Sequence, residues 1–500
     1  MDFFGGYHMT FEQLKPYLND YPAVPVTLQF QATAFDPIAV TQAFDNPDHP
    51  CFLLTGKPKK TEDGYSFIGF NPVESFTYRN GELTTTTKDG HVSRETTALK
   101  PVIEGILTAN RTPRLPAMPP FLGGLAGYFS YDYAKYATTA QLPQVTDPMN
   151  LNDADLVLVN QVIAYNHATQ TVTLSQIVPT PKVAEKYDAV IAKLTALKDR
   201  VLAVTGERPL PSFSMTPLKL QFSLSEFTEK VAETKQHILD GDIFQLILSN
   251  PQHAKMTGSL FGVVPTLFRE SPSPYQFYFR HGNFETIGAS PETLITKRDR
   301  TLFTYPLAGT RRRGKDQRED DQFAEELTHS PKELSEHNML IDLGRNDLGA
   351  VSEFGSVKVT AYRHLLKFAN VMHMGSVVES RAKKDVSAVD IINAVLPAGT
   401  LSGAPKISAM QIIGKLENRK RGVYGGCLGY LGFDGDLDLC IGIRLAYRQD
   451  DNLVVHSGAG IVADSIAKYE YQEFNNKASA VVNAVKETAA KGDVTHALSD

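Results

Sequence analysis

Short apolar runs of the strand type dominate the first part of the chain. Between residues 22 and 177 they read VTLQF, CFLL, YSFIGF, ESFTY, LVLVNQVIAY and TVTLSQIV, and turn residues such as NPD, EDG and KDG separate them. One segment among them, GGLAGYFSYD at residues 123–132, is too rich in glycine for a helix interior. From residue 182 to 204 the apolar positions take a helical period instead. The pattern predicts sheet followed by one long amphipathic helix.

The second part of the chain mixes both periods. Ser223 or Ser225 is expected to cap a helix that continues to Leu239 and ends at Gly241. Strands are predicted at DIFQLILSN, PYQFYF, TLITK, TLFTYPLAG, CLGYLGF, LCIGIRLAYR and NLVVHSGAGIV. Further helices are predicted near residues 320–328, 334–343, 386–396, 406–416 and 466–490. Strand runs with helices among them predict a mixed sheet covered by helices.

The prolines and the loss of periodicity in TGERPLPSFSMTP indicate a linker. We therefore expect an N-terminal domain over residues 1–204, a linker over 205–220 and a second domain over 221–490. Residues 491–500 are expected to form a frayed tail.

Composition narrows the function classes. The chain has 500 residues, 42% of them apolar, and a formal net charge of −6, with no long basic tract. A role in binding nucleic acid or a membrane surface is therefore not expected. The start lacks the pattern of a secretory signal, and no apolar run is long enough to cross a bilayer. Three cysteines without metal-type spacing fit a reducing compartment, so a cytoplasmic location is expected, with these cysteines buried as small apolar residues.

Two pairs of glutamates carry the strongest chemical signal. Glu333 and Glu336 are three residues apart, and Glu470 and Glu473 repeat this spacing, so each pair would share one helix face. Two such helices could face each other across a hard cation, and Mg²⁺ prefers oxygen ligands. Either pair taken alone is typical of a solvated helix face, and the Ser330-Pro331 sequence reads as an ordinary helix start, so that Glu333 could merely complement the helix dipole. The run IDLGRNDLG weakens that alternative, because a plain amphipathic helix would simply continue there.

Other segments leave two interpretations open. The run LPAGTLSGAPK could cradle an anion with its backbone N–H groups and the Thr400 hydroxyl, or it could be a well-capped loop. Glycines in HSGAGIVADS would let backbone approach a ligand, or would form a tight turn. Arg444 in an apolar strand needs a partner, either a structural glutamate or a substrate carboxylate. His373 and Tyr424 alone would be core residues.

Read together and in order, these segments resemble the chorismate-utilising enzymes, in particular the large components of the anthranilate synthases. The match runs through AGT, SEHNMLIDLGRNDLG, LPAGTLSGAPK, RGVYGGCLGY, IGIR, SGAGIVADS and a final E-x-x-E-x-x-N-K, and it covers nearly all of residues 221–480. The N-terminal match is thinner, at YSFIGFNP and GGLAGYFSYD. The fold implied by the resemblance is an α/β (α+β) layered sandwich of two large, mostly antiparallel sheets flanked by helices.

The resemblance implies chemistry on chorismate, a cyclohexadiene with two carboxylates, a hydroxyl and an enolpyruvyl ether. Ammonia would attack the ring carbon beside the ring carboxylate, the hydroxyl would leave, and loss of pyruvate would give anthranilate. That reaction, a lyase activity, is the first committed step of tryptophan biosynthesis. The cofactor implied is Mg²⁺, held directly by Glu336 and Glu473, with Glu333 and Glu470 acting nearby or through water.

The resemblance also implies roles for single residues. Glu292 would protonate the departing hydroxyl, so burial should raise its pKa, and His373 would remove the ring proton. Thr400 is expected beside these catalytic groups, in contact with the substrate. The substrate-binding residues implied by the match are Gln245, Gly309, Thr310, Tyr424, Arg444, Gly458, Ala459, Gly460 and Lys477.

Two positions favour one branch of the family. Relatives that add water carry a lysine base where this chain has Gln245, and glutamine cannot deprotonate water. The aminodeoxychorismate branch carries a nucleophilic lysine where this chain has Ala308. The alternatives are a large component of aminodeoxychorismate synthase and a non-catalytic chorismate-binding paralogue. Because no cysteine lies in a glutaminase motif, ammonia is expected from a separate glutamine amidotransferase subunit (anthranilate synthase component II) or from solution.

One motif departs from the family pattern. Feedback-inhibited relatives bind tryptophan with LLES and SPYMFY, whereas this chain has LLTG, ending at Gly56, and SPYQFY, with Gln276 in place of Met. Pro274 and Tyr275 remain. A glycine offers no hydroxyl to the ligand amine, so tryptophan inhibition is expected to be weak or altered.

Overall fold

The structure is a computed structural model that describes residues 7–56, 64–206, 208–367 and 371–497. Its strands, in chain order, are β1 (Tyr7–His8), β2 (Ala23–Gln31), β3 (Cys51–Thr55), β4 (Tyr65–Phe70), β5 (Glu74–Arg79), β6 (Glu82–Thr87), β7 (Val92–Thr96), β8 (Gly124–Phe129), β9 (Ala154–Val159), β10 (Gln161–Asn166), β11 (Thr171–Pro179), β12 (Phe213–Met215), β13 (Lys219–Leu220), β14 (Gln245–Ser249), β15 (Gln252–Gly258), β16 (Tyr275–His281), β17 (Phe284–Ser290), β18 (Thr293–Arg298), β19 (Thr301–Thr304), β20 (Leu307–Arg312), β21 (Lys358–Lys367), β22 (Val371–Arg381), β23 (Gly403–Ala404), β24 (Cys427–Gly432), β25 (Leu437–Ile441), β26 (Leu445–Gln449), β27 (Asn452–His456) and β28 (Gly458–Ile461). Its α-helices are α1 (Phe11–Leu14), α2 (Pro37–Phe44), α3 (Leu99–Ala109), α4 (Thr180–Leu202), α5 (Leu224–Leu239), α6 (Val264–Glu270), α7 (Gln317–His329), α8 (Pro331–Val351), α9 (Ala388–Val395), α10 (Lys406–Glu417) and α11 (Ala467–Ala497).

Two large antiparallel sheets run through both halves of the chain. The first has 13 strands, in the order β1-β2-β11-β10-β4-β3-β16-β17-β26-β27-β15-β12, with β13 also on β15. The second has 12 strands, in the order β20-β22-β19-β18-β25-β24-β8-β9-β5-β6-β7, with β21 on β22. Each sheet is joined across the halves by one pairing, β3 with β16 in the first and β8 with β24 in the second. A small third sheet has the order β23-β14-β28.

The apolar core separates into layers. One buried cluster takes side chains from both large sheets and is rich in aromatic rings, including Phe52, Phe67, Tyr128, Phe277 and Tyr430. Two further clusters combine one face of a sheet with helices, the first sheet with α4 and α11 and the second sheet with α8 and α9. A fourth surrounds the small sheet between α5, α10 and α11. The expected layered sandwich of two large sheets with helices on the outside is therefore confirmed.

Capping residues fix several helix starts as the sequence indicates. The Ser223 side chain accepts a hydrogen bond from the Glu226 amide at the start of α5, and Gly241, with a φ of +82°, lies just after its end. Helix α8 is longer than IDLGRNDLG suggests and continues through both of its glycines to Val351. Gly344 packs closely on β19, because a Cβ atom there would lie 3.1 Å from the Thr304 methyl group. The helices α1, α2, α3 and α6 were not predicted; α1, α2 and α6 have at most about two turns, too few to show a clear period, whereas α3 has 11 residues.

The ends and the middle of the chain carry more structure than their composition indicates. Residues 205–220 contain β12 and β13, both of which pair with β15. Helix α11 reaches Ala497, within the segment expected as a tail. The three cysteines are buried and reduced, as expected. Across the described ranges, none of the helices is long and apolar enough to cross a membrane.

Candidate active site

The first glutamate pair lies on the opening turns of α8. Ser330 accepts a hydrogen bond from the Glu333 amide at 3.4 Å, and Pro331 is the first helical residue, so the predicted helix start is confirmed. The Glu333 carboxylate forms an ion pair with Arg311 Nη1 at 3.2 Å. Glu336, one turn further, is half-buried.

The second pair lies on the opening turns of α11. The Ser465 hydroxyl donates to Glu470 Oε1 at 2.8 Å, which ties this carboxylate to the loop that follows β28. Glu473 is half exposed and pairs with Lys477 Nζ at 2.6 Å on the same helix. Lys477 thereby enters the same charged group as the four glutamates.

The two pairs influence each other electrostatically. Burial raises the pKa of Glu336, and the charges of Glu333 and Glu473 raise it further. Burial likewise raises the pKa of Glu470, with Glu473 adding to the effect. Lys332 and Lys477 lower both pKa values. Carboxylates from two helices are thus close enough to oppose each other's ionisation.

A divalent cation fits this charge distribution, because it would remove the repulsion that raises these pKa values and carboxylate oxygen is its preferred donor. Over the described residues, three or more acidic, histidine or cysteine groups do not meet at ligand distance from a common point. The Glu473 carboxylate forms an ion pair with Lys477. Coordination would therefore require at least this side chain to change partner.

The small sheet brings together three segments that are far apart in sequence. Gln245 pairs with Ala404, four residues after Thr400, while Ile247 pairs with Gly460 and Ser249 with Gly458. The Gln245 side chain lies over Gly460, where a Cβ atom would come 2.9 Å from its amide nitrogen. At Gly458 a Cβ atom would come 2.8 Å from the Tyr424 hydroxyl. Side chains on these two residues would fill the space beside Gln245 and Tyr424, and Ala459 between them is fully buried.

Glu292 and Thr400 form a hydrogen-bonded pair. Glu292 lies in the turn between β17 and β18, and the Thr400 hydroxyl donates to its Oε1 at 3.2 Å. Burial raises the pKa of Glu292 to about 7, although the Thr400 hydrogen bond and the Lys477 charge act to lower it. The carboxyl is therefore partly protonated near neutral pH.

His373 is held by the strand that carries Gly309 and Thr310. Strands β20 and β22 pair Thr310 with His373, and His373 Nδ1 lies 3.0 Å from the Gly309 carbonyl oxygen. Because a carbonyl can only accept, Nδ1 carries the proton and the basic nitrogen of the neutral ring is Nε2. Burial lowers the pKa of His373, and the Arg444 charge lowers it further. The Thr310 side chain lies outside the described part of the structure.

Gly309 separates His373 from the first glutamate pair. Its φ is +64°, and a Cβ atom there would lie 2.7 Å from Glu333 Oε2. A side chain at this position would both strain the backbone and displace Glu333.

Arg444 differs from its expected setting. It precedes β26 in place of lying within a strand, and its φ is +53°. Its Nη1 donates to the Lys477 carbonyl oxygen. Burial lowers the pKa of Arg444, while Tyr424 and Glu473 raise it. Among the described residues no carboxylate forms an ion pair with Arg444, so the structural glutamate partner considered from the sequence is absent there.

A separate cavity of about 90 Å³ lies between the two large sheets. Thr55, Gly56, Pro274, Tyr275 and Gln276 all line it, so the two altered motifs meet as the resemblance implies. A Cβ atom on Gly56 would lie 1.9 Å from the Pro274 carbonyl oxygen, which excludes any side chain there in this backbone position. The Gln276 amide donates away from the cavity, to the Phe268 and Ser271 carbonyl oxygens.

Sequence reasoning missed the buried support of the site. Arg421 is 1% exposed and donates to both Glu417 oxygens, to the Ile247 carbonyl oxygen and to the Leu401 carbonyl oxygen. It therefore joins β14 to the loop that holds Thr400. An i,i+4 Glu–Arg spacing in ENRKRG was the available signal, but it is indistinguishable from a surface ion pair without the fold.

Known proteins that resemble this chain do so over nearly its whole length. The family described as chorismate binding enzyme matches residues 49–483. Anthranilate synthase component 1 of Acetivibrio thermocellus is 36% identical, over 96% of this chain and 99% of that protein. The protein of the same name from Geobacillus stearothermophilus is 35% identical, over 97% of this chain and 99% of its own length.

A solved structure supports the fold. The crystal structure of anthranilate synthase component I from Streptococcus pneumoniae aligns with a TM-score of 0.71 at 32% identity, over 84% of this chain and 92% of that one. With the family match, the near full-length relatives and the two-sheet sandwich all in agreement, this chain belongs to the chorismate-binding enzyme family.

Proposed function

We propose that the chain is the large component of an anthranilate synthase, which converts chorismate and ammonia to anthranilate and pyruvate. The observation that carries the proposal is the absence of an amine at two key positions of the site. The side chain that lies against Gly460 is that of Gln245, and a glutamine cannot deprotonate water as a lysine would. The residue at 308 on β20 is a buried alanine, which cannot attack the ring as a lysine would. Free ammonia is the nucleophile that remains.

Glu292 is proposed as the acid for the departing hydroxyl. Its pKa of about 7 leaves a large protonated fraction at neutral pH, whereas an ordinary glutamate would be almost fully ionised. With the Thr400 hydroxyl donating to Oε1, Oε2 is proposed to carry the carboxyl proton and to deliver it.

His373 is proposed as the base for the second stage. After amination, a ring proton must leave as the enolpyruvyl ether bond breaks to release pyruvate. The hydrogen bond to the Gly309 carbonyl leaves Nε2 as the basic atom, and the lowered pKa keeps the ring neutral and able to accept a proton.

The glutamates of α8 and α11 are proposed to hold Mg²⁺, with Glu336 and Glu473 as direct ligands and Glu333 and Glu470 nearby. When bound, the cation would neutralise the substrate's ring carboxylate. Arg444, Lys477 and Tyr424 are proposed to bind the enolpyruvyl carboxylate. Arg444 lies within electrostatic range of Tyr424, and its Nη1 donates to the Lys477 carbonyl oxygen. The backbone of Gly458, Ala459 and Gly460 would line the same pocket.

Ammonia is proposed to come from a separate glutamine amidotransferase component. Glutamine hydrolysis by such enzymes needs a reactive thiolate. Burial raises the pKa of Cys51, of Cys427 to about 12, and of Cys440, so all three remain protonated. None of these cysteines can serve as that nucleophile.

Tryptophan is proposed to inhibit this protein weakly. The Pro274 carbonyl oxygen leaves no room for a side chain on residue 56, so no side-chain hydroxyl is available there, and the Gln276 amide nitrogen is hydrogen-bonded to the Phe268 and Ser271 carbonyl oxygens. Tryptophan titration of the steady-state rate tests this directly, because strong inhibition at low micromolar tryptophan would contradict it.

The test of the main function is product identification. The enzyme is incubated with chorismate, an ammonium salt and MgCl₂, and the aminobenzoate is separated by chromatography. The ortho isomer, anthranilate, is expected, with fluorescence growing only when all three are present. The para isomer, or no product at all, would refute the proposal. Gln245→Lys is the matched variant and should lower the amination rate by introducing an amine that favours attack by water.

A further inference from the structure

A second aromatic ring lies directly behind Tyr424. His456, the last residue of β27, stacks on the Tyr424 ring with centroids 4.1 Å apart and ring planes inclined by 13°. Both side chains are buried, at 3% and 4% exposure. The Tyr424 hydroxyl points to Gly458, in the segment proposed to contact the substrate. His456 thus supports one face of a ring whose polar end reaches the pocket.

His456 is itself fixed to the small sheet. Its Nε2 lies 3.0 Å from the Ser249 hydroxyl, and the Ser249 amide donates to Glu417 Oε1 at 2.8 Å. Arg421 holds that carboxylate from the other side at 2.6 Å. The stack is therefore tied to β14, the strand that begins with Gln245.

The histidine ring remains neutral and incompletely satisfied. Burial holds its pKa well below the usual value, and Arg421, His253 and Arg419 act in the same direction. Its Nδ1 has no hydrogen-bond partner among the described residues. A buried nitrogen without a partner destabilises the fold, and an apolar side chain would avoid this. The flat ring of His456 therefore serves a purpose other than stabilising the fold.

We propose that His456 is a positioning residue, which holds the Tyr424 ring by stacking in the orientation that receives the enolpyruvyl carboxylate of chorismate. The inference rests on the proposed function. His456 itself neither contacts the substrate nor transfers a proton. Replacing His456 should therefore change the affinity for chorismate, and only while Tyr424 is present.

The test is a double-mutant cycle on the chorismate KM at saturating ammonium and Mg²⁺. His456→Leu fills the same space without a flat ring and should raise KM roughly three- to tenfold, with kcat within about twofold of the wild type. His456→Phe restores the ring and should return KM to within about twofold. Added to Tyr424→Leu, His456→Leu should change KM no further, because the ring that it positions is gone.

Phe35→Ala is the control for general loss of packing. Phe35 stacks on Tyr165 at 4.5 Å in the core formed by the first sheet and its helices, so its removal should lower the melting temperature without changing KM. An unchanged KM in His456→Leu, or an equal rise with and without Tyr424, would overturn the inference. Failure of the proposed function would show itself separately, as a wild-type protein that makes no anthranilate. The same cycle would then be run on chorismate affinity by calorimetry.

Discussion

The hydrogen bond from Thr400 to Glu292 should set the pH at which activity declines. Replacing Thr400 with Val keeps the side-chain volume and removes the only hydroxyl seen donating to that carboxylate among the described residues. Hydrogen bonds to charged groups contribute about 1.5–3 kcal/mol, and at 3.2 Å this one belongs at the lower end. Because about 1.4 kcal/mol corresponds to one pKa unit, the pKa of Glu292 should rise by about one unit from its value of about 7.

The sign of the effect follows from the role of the proton. A general acid works in its protonated form, so kcat/KM should fall as pH rises through the pKa of Glu292. In Thr400→Val this descending limb should move up by about one pH unit, while the ascending limb, set by His373 with its lowered pKa, should stay in place. Any loss of substrate contact would lower the whole profile without moving either limb.

The assay is the initial rate of anthranilate fluorescence against chorismate concentration from about pH 5 to 9, a range that extends below the usual histidine pKa so that both limbs are sampled. The ammonium concentration is adjusted at each pH so that free ammonia stays constant, because ammonia is the reacting form. Thr400→Ser retains the hydroxyl and should keep the wild-type limb. A descending limb at the same pH in Thr400→Val and wild type would show that this bond does not tune Glu292.

Three further predictions follow from burial and charge. Glu336→Gln should abolish Mg²⁺-dependent turnover. Its melting temperature should stay equal or rise, because the variant removes a half-buried charge that two other glutamates repel. Wild-type turnover from this variant would rule out the ligand role. Urea unfolding should show stability declining as pH falls from about 6.5 to 4, because the half-buried His253 and the buried His337, each with a pKa of about 4, stay unprotonated in the native state while the unfolded chain binds protons there. His337 accounts for about 3 kcal/mol of this loss. His337→Gln should flatten the decline, and an unchanged slope would contradict the assignment. Gly56→Ser should lower the melting temperature and fail to create tryptophan sensitivity, because its Cβ would meet the Pro274 carbonyl oxygen at 1.9 Å. The control is Gly105→Ala, which lies in a helix with open space around it and should be neutral or slightly stabilising. A Gly56→Ser protein as stable as this control would refute the clash.

Much of the local structure follows from the sequence. The start of α5 at Ser223 and the start of α8 at Ser330-Pro331 depend on neighbouring residues, and the structure confirms them. Most strand runs are confirmed as well, but TLFTYPLAG, LCIGIRLAYR and NLVVHSGAGIV, each predicted as one strand, are two strands in the structure. The altered motif at Gly56 and Gln276 was visible in the same way, although the contact that makes Gly56 necessary comes from Pro274, more than two hundred residues away. Helix α8 continues beyond its predicted end, and within that extension Gly344 packs against Thr304 and Asp347 forms an ion pair with Lys406, contacts that the local sequence does not reveal.

The sequence by itself determined which residue types stand at which spacing: paired glutamates, a glutamine in place of a lysine, glycines beside a tyrosine. These are properties of the chain that no packing can change. Only the tertiary structure decided which charges meet. The pKa of Glu292 near 7, the mutual repulsion of glutamates on α8 and α11, the buried Arg421 and the ring of His456 behind Tyr424 all depend on desolvation and on contacts between residues far apart in sequence. Burial and distance set the strength of every electrostatic effect, and both are defined only once the chain has folded.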